Sequence, residues 1–377
     1  MKGKQGMVCM GLLLVLSSCH TGKQITASGL QRKDFQTEVN GQHTDLFTLS
    51  NKQGMEVCIT NYGARLVSIL VPDRNGKRED VVCGFSTITE YMEQRQNFGS
   101  TVGRYIGRIL NARFTLDGVE YKLVPNNGKS GHISHGGNPG FADRIWKVEQ
   151  ADTHRVRLSY LSPDGENGFP GNLKVTLVYS LGEDDNALDL TYEATTDAPT
   201  VLNLSHHSFF NISGNFTKSV EDQQLWVDAD RFTPYDDKKC VTGEYLPVAG
   251  TPLDFRMPHT IGECIDADHP QLKVVNGYDH TWELNTKGDD TRPAAWVYDP
   301  ASGRKMEIFT TEPGMQIYTG NGLKGKMTGK GGIAYPFRSA VCFETMHFQD
   351  SPNQPGFPST VLRPGEVFRS HTVYKFE

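Results

Sequence analysis

Between residues 173 and 196 the apolar side chains recur at every second position. Leu173, Val175, Leu177 and Tyr179 alternate with Lys174, Thr176 and Ser180, and Leu188, Leu190, Tyr192 and Ala194 repeat the pattern. A period of two puts successive side chains on opposite faces of an extended strand, so each run needs a sheet and a buried face. Similar runs occupy 55–60, 65–71, 156–161, 294–298, 305–311, 315–319 and 367–376. Turn-forming clusters such as Asp73-Arg74-Asn75-Gly76 and Asp117-Gly118 separate them, the signature of antiparallel strands joined by tight turns. Only 86–94 predicts a helix, with Ser86 or Thr87 as its cap and Glu90 in the first turn. No βαβ alternation, internal repeat, heptad or low-complexity linker breaks the series. The expectation is an all-β chain folded as one large antiparallel β-sandwich of two sheets.

The first nineteen residues read differently. Lys2 and Lys4 precede a short apolar run from Met7 to Leu16, and Leu16-Ser17-Ser18-Cys19 reads as a lipobox. That run is too short for a mature membrane span and fits a cleaved signal. The expected organisation is therefore a lipoprotein signal peptide at 1–18 and a lipidated N-terminus with a tether and lead-in segment at 19–45. A single β-sandwich domain at 46–377 completes it. Cleavage before Cys19 would make that cysteine the lipid anchor of an exported protein on the periplasmic side or the outer membrane. The stretch from His20 to Ser28 reads as a polar tether. Loss of the two lysines would take the formal charge from −6 to −8.

Several functions are disfavoured. An acidic balance does not suit a nucleic-acid partner. Gly320-Asn321-Gly322-Leu323-Lys324-Gly325-Lys326 satisfies G-x-G-x-x-G, but Thr328-Gly329-Lys330-Gly331-Gly332 follows where a helix would have to open. It reads as a flexible, glycine-rich surface loop, with no nucleotide expected. The histidines show neither H-E-x-x-H nor a tight cluster with carboxylates along the chain, so no metal is expected. No G-x-S-x-G elbow is present. Cys58, Cys83, Cys240, Cys264 and Cys342 are scattered and read as mostly buried free thiols.

Five stretches place polar or proton-moving groups beside aromatics or glycines. Gly103-Arg104-Tyr105-Ile106-Gly107-Arg108-Ile109 carries two arginines, and Ser134-His135-Gly136-Gly137 sets a histidine on a glycine turn. Asn203-Leu204-Ser205-His206-His207-Ser208-Phe209-Phe210-Asn211 pairs two histidines with two aromatics. Asn276-Gly277-Tyr278-Asp279-His280 and Phe343-Glu344-Thr345-Met346-His347-Phe348 complete the set. Glu344 lies in an apolar run, where loss of hydration would raise its pKa into the range of a base working near neutrality. Each stretch also has a structural reading: the arginines as surface salt-bridge formers, Asp279 as a turn cap, Glu344 as an arginine partner.

With these stretches and Phe232-Thr233-Pro234, Thr251-Pro252-Leu253-Asp254-Phe255-Arg256 and Glu312-Pro313-Gly314-Met315-Gln316-Ile317-Tyr318-Thr319-Gly320-Asn321 in this order, the chain resembles the aldose 1-epimerases, or galactose mutarotases. The resemblance runs from about Leu46 to the C-terminus. It implies a β-supersandwich with an open cleft for one free monosaccharide and an isomerase that interconverts hexose anomers, such as those of galactose and glucose, without a cofactor. By position, Glu344 matches the family's general base and His207 its general acid. Arg108, His135, Asp279 and Gln316 match residues that hold sugar hydroxyls, while Asp254 and Arg256 fall in a structural motif. Phe209 and Phe210 are expected as an apolar wall. His206 stands where many members carry Asn, which points to a replaced amide donor or an altered sugar preference. Two other readings stay open: a non-catalytic carbohydrate-binding lipoprotein, and an epimerase-like enzyme acting on a modified or phosphorylated hexose. The latter would need a basic cluster, for which Arg104 and Arg108 are the candidates.

Overall fold

The structure, a computed structural model, describes residues 24–377. Cys19 and the signal segment lie outside the described residues. The alternating runs form the strands expected of them. Leu173–Leu181 and Ala187–Thr196 pair antiparallel within a nine-stranded sheet. Arg155–Ser162 and Lys147–Ala151 extend it on one side. On the other side come Phe368–Phe376, Lys305–Thr310, Ala295–Tyr298, Gln224–Val227 and His259–Thr260.

A second, six-stranded sheet runs Phe209–Phe210, Val341–Met346, Gly314–Tyr318, Asp279–Glu283, Arg231–Thr233 and Leu246–Pro247. The two sheets face each other across the main core. Leu177, Leu190, Ile308 and Tyr374 from the larger sheet join Phe210, Phe343, Ile317 and Trp282 from the smaller in one buried cluster. Thr345 reaches across to Thr372, hydroxyl to hydroxyl, at 2.7 Å. A four-stranded sheet, Leu46–Ser50, Glu56–Thr60, Arg65–Pro72 and Arg78–Asp80, adds a further layer.

The expected helix spans Ile88–Gln94 with Thr87 as its cap. Thr87 Oγ1 accepts from Glu90 N at 3.2 Å and Glu90 Oε2 accepts from Thr87 N at 2.9 Å, a reciprocal capping box. A second helix, Pro270–Val275, was not expected from periodicity. Its local signals are Pro270 at the first helical position and Asn276 in the left-handed conformation at its end. Six residues are too few for a 3.6-residue period to stand out.

Packing also begins ahead of Leu46. Leu30 and Phe35 are buried with Cys58, Val67 and Tyr91, and the amides of Ala27 and Ser28 donate to Glu56. The glycine-rich stretch after Gly320 is anchored rather than loose: Leu323 is buried, and Lys330 is ion-paired with Asp80 at 2.6 Å. No helix opens directly after it; the short turn Lys330–Gly332 comes first.

Arg104 departs from the surface reading. It is wholly buried, and its guanidinium donates to Pro170 O at 2.7 Å, Gly171 O at 3.0 Å and Ser162 Oγ at 2.6 Å. Backbone carbonyls stripped of water need such a donor, and five N–H groups on one plane can serve several at once. Arg104→Met is therefore expected to lower folding stability by about 3–5 kcal/mol in urea titration. The folded fraction should keep its ligand affinity, because Arg104 does not line the active-site cleft.

Candidate active site

The core-distal face of the six-stranded sheet carries the polar groups. Glu344 stands opposite Gln316, and Gln316 opposite Thr281, in a row across three strands. One step along, Cys342 stands opposite Tyr318 and Tyr318 opposite Asp279. The alternation that sends Val341, Phe343 and Thr345 into the core sends Cys342, Glu344 and Met346 to the other side. The strand Ser205–His207 pairs with Ser100–Val102, and Gly99 N donates to His207 O at 3.0 Å. His207 is thereby fixed against the row.

These elements enclose a cleft of about 260 Å³, a size suited to one small ring. All six residues expected at the site line it: Arg108, His135, His207, Asp279, Gln316 and Glu344. His207 Nε2 lies 3.3 Å from Glu344 Oε1. Phe209 stacks on the His207 ring with centroids 5.0 Å apart, and His135 meets it edge-on at 5.4 Å. Arg108 is placed by pairing with Ser134, and among the described residues no carboxylate engages its guanidinium as an ion pair. Gln316 is oriented by two bonds: its Oε1 accepts from Thr281 Oγ1 at 2.5 Å and its Nε2 donates to Asp279 Oδ1 at 2.7 Å. His135 sits on its glycine turn because a Cβ on Gly136 would stand 2.0 Å from Gly103 O.

Burial sets the electrostatics. It raises the Glu344 carboxyl well above the ordinary carboxylate range, with the charge of Asp279 adding to the effect. It also holds His207 well below an ordinary imidazole, helped by neighbouring His135. Each group is pushed toward its uncharged form, so the pair tends to hold a single proton between them. Asp279 is raised by burial as well, against the opposing pull of Arg108. His135 falls to about 4, first by burial and then by Arg108. Its Nδ1 accepts from Gly107 N at 3.4 Å, which leaves the ring proton of the neutral form on Nε2.

Other expectations need correction. His206 cannot touch a ligand in the cleft: the next residue on a strand points the opposite way, and its ring meets Tyr179 in the core at 5.9 Å. Its Nδ1 is bonded to Ser208 Oγ at 2.8 Å, and burial lowers it to about 3. Phe210 also faces the core, against Phe343 and Tyr374, so Phe209 alone of the two walls the cleft. His280 packs on Tyr235 and Trp282 rather than beside Asp279 in the cleft. Asp254 and Arg256, expected in a structural motif, form an ion pair at 2.8 Å outside the cleft, in keeping with that reading. Gln96, Asn97, Tyr318 and Gln349 line the cleft and were not foreseen. Tyr318 lies in a quoted stretch on the same strand face as Gln316, so alternation alone could have found it.

The fold also assembles His207, Cys342 and Glu344 with donor atoms within 4.8 Å of one another, a grouping that the linear spacing hid. An ion bound there would need the Cys342 thiol ionised, and burial drives that thiol well above its ordinary value. It would also occupy both members of the histidine–carboxylate pair.

The family model for aldose 1-epimerase matches residues 45–375. Galactose mutarotase of Sus scrofa is 39% identical over 330 residues, covering 88% of this chain and 93% of its own length. Aldose 1-epimerase of Escherichia coli (strain K12) is 36% identical over 339 residues, covering 89% and 96%. Among solved structures, the aldose epimerase homologue from C. elegans superposes with a TM-score of 0.81 at 31% identity, over 89% of this chain and 99% of that one. With its sandwich, its cleft and this extent of similarity in hand, the chain belongs to the aldose 1-epimerase family.

Proposed function

We propose that the chain interconverts the α and β anomers of free hexoses such as galactose and glucose, with Glu344 and His207 as its two proton carriers. The observation that carries this reading is the 3.3 Å contact between His207 Nε2 and Glu344 Oε1 inside the cleft. A hemiacetal opens when a base removes the O1 proton while an acid protonates the ring oxygen. Glu344 takes the first proton and His207 gives the second, the C1–O5 bond breaks, and C1 becomes an aldehyde. Rotation about C1–C2 presents the other carbonyl face. O5 then returns its proton to His207 and attacks C1, while O1 recovers a proton from Glu344. The sum is a change of configuration at C1 with every proton returned.

Opening moves one proton from His207 to Glu344. The state with both groups uncharged, which burial favours, is the protonation state that accompanies the open-chain aldehyde. Arg108, His135, Asp279 and Gln316 supply donors and acceptors for hydroxyls. The cleft lining holds one guanidinium against two carboxyl groups, which favours an uncharged sugar over a phosphorylated one. The presence of both proton carriers in contact favours an enzyme over a carbohydrate-binding protein without catalysis.

The lipobox reading supports an exported, lipid-anchored enzyme acting on sugars released outside the cytoplasm, and residues 46–377 are read as one catalytic domain. Among the described residues no helix is long and apolar enough to cross a membrane. Cys19→Ser should abolish labelling by a radioactive fatty acid and move the protein from the membrane to the soluble fraction; unchanged labelling would sink the anchor.

Polarimetry on freshly dissolved α-galactose should show pure protein accelerating the approach to equilibrium, and no acceleration overturns the reading. Glu344→Gln and His207→Asn should each cut the rate by ~10²–10⁴-fold with the far-ultraviolet circular dichroism unchanged. The pH profile of kcat/KM follows from the shared proton. Activity falls at low pH when the pair takes up a second proton on His207, whose pKa burial lowers, and at high pH when Glu344, whose pKa burial raises, loses the last one. The low limb should therefore lie below the ordinary imidazole value and the high limb above the ordinary carboxylate value. A narrow bell centred between two unshifted values would contradict the one-proton pair.

A further inference from the structure

Gln349 lines the cleft beside Arg108, and neither alternation nor the family resemblance pointed to it. It is 4% exposed and stands just beyond the strand that carries Glu344. Arg108 N donates to Gln349 Oε1 at 3.2 Å, and Gln349 Nε2 donates to the Tyr235 hydroxyl at 2.7 Å. Nε2 lies a longer 3.4 Å from Gln316 Oε1. Tyr235 is clamped from behind by Gln271, whose Oε1 accepts from Tyr235 N and whose Nε2 donates to Tyr235 O, both at 2.8 Å. Gln271 belongs to the helix Pro270–Val275, so that short helix backs the cleft.

Room for Gln349 exists only because residue 107 has no side chain. A Cβ on Gly107 would stand 2.5 Å from Gln349 Cγ and 3.1 Å from its Cδ. Gly107 also holds φ at +77°, in the left-handed region.

A primary amide offers two acceptor lone pairs and two N–H donors. Arg108 N takes one lone pair and Tyr235 one N–H, which leaves an acceptor site free and a second N–H only weakly satisfied. A buried amide in that condition gains from a partner that both donates and accepts, which is what a sugar hydroxyl does. O1 and the ring oxygen are engaged by Glu344 and His207, so the hydroxyl left for Gln349 belongs to a carbon other than C1. We infer that Gln349, with Tyr235 holding it and Gly107 making its room, is a specificity-determining residue that discriminates between free aldoses differing in configuration at one hydroxyl-bearing carbon. The inference rests on the mutarotase reading above. A cleft that hydrogen-bonds a hydroxyl rejects the sugar that misplaces it, because the amide then stays unpaired.

The test measures kcat and KM for glucose, galactose and mannose with wild type, Gln349→Ala, Gly107→Ala and the double variant. Gln349→Ala is expected to change the ratio of kcat/KM between one pair of these epimers by ~10-fold, chiefly through KM, with both limbs of the pH profile unmoved. Gly107→Ala should shift the same ratio in the same direction, since its methyl displaces Gln349. In the double variant the ratio should match that of Gln349→Ala alone, because the colliding atoms are gone. An equal loss for every sugar, unmoved ratios, or additive shifts would overturn the assignment. If Gly107→Ala fails to fold, the ratios of Gln349→Ala decide alone. Wild-type protein that accelerates no sugar would instead refute the mutarotase reading, so the two failures are distinct.

Discussion

The structure depends on one strand that is buried on both of its faces. The strand Val341–Met346 is buried along its whole length, with Val341, Phe343 and Thr345 against the nine-stranded sheet. Its other row, Cys342, Glu344 and Met346, is roofed by the segments that carry His207, Arg108 and His135. A carboxyl group placed there loses most of its hydration, and the same loss acts on the imidazole 3.3 Å away. Proton chemistry at the cleft follows from this burial more than from any single charge partner.

Around that pair the molecule keeps its other buried titratable groups out of the reaction. His206 and His280 are driven to about 3 by burial, and both pack on aromatic rings of the core. Arg104 and Arg65 spend their donors on backbone carbonyls, Arg65 on those of Gln96 and Phe98 at 2.7 and 3.1 Å. That second set of bonds fixes the segment whose Gln96 and Asn97 line the cleft. Structural arginines thus shape the site without entering it, and Arg108 is left as its one guanidinium.

Much of the sandwich was legible because long strands repeat their pattern. Nine residues at 173–181 and ten at 187–196 give several turns of a two-residue period, and the turns between them carry Asn, Asp and Gly. Short elements were not legible. Ser205–His207 and Phe209–Phe210 hold three and two residues, too few for any period, and the helix Pro270–Val275 fails for the same reason. Tyr235, Gln349 and Asn97 lie outside long strands, where residue type signals neither burial nor direction. The six expected site residues could be named only because eight motifs in a fixed order carried a family resemblance; from type and spacing alone, each kept an ordinary structural reading.

By itself the sequence determined the class of fold, through alternation, and the parity within each strand. Parity already separates His206 from His207 and Asp279 from His280, since neighbours on a strand cannot share a face. It leaves open which parity meets the core. That choice is tertiary: the partner sheet decides it by covering the face that bears Phe343, Ile317 and Trp282. Only the folded chain also decides that residues 207 and 344 touch, that Arg104 turns inward while Arg108 faces the cleft, and that Gly107 leaves space for Gln349. These are relations between surfaces brought together from distant parts of the chain, and local pattern carries no information about distance in space.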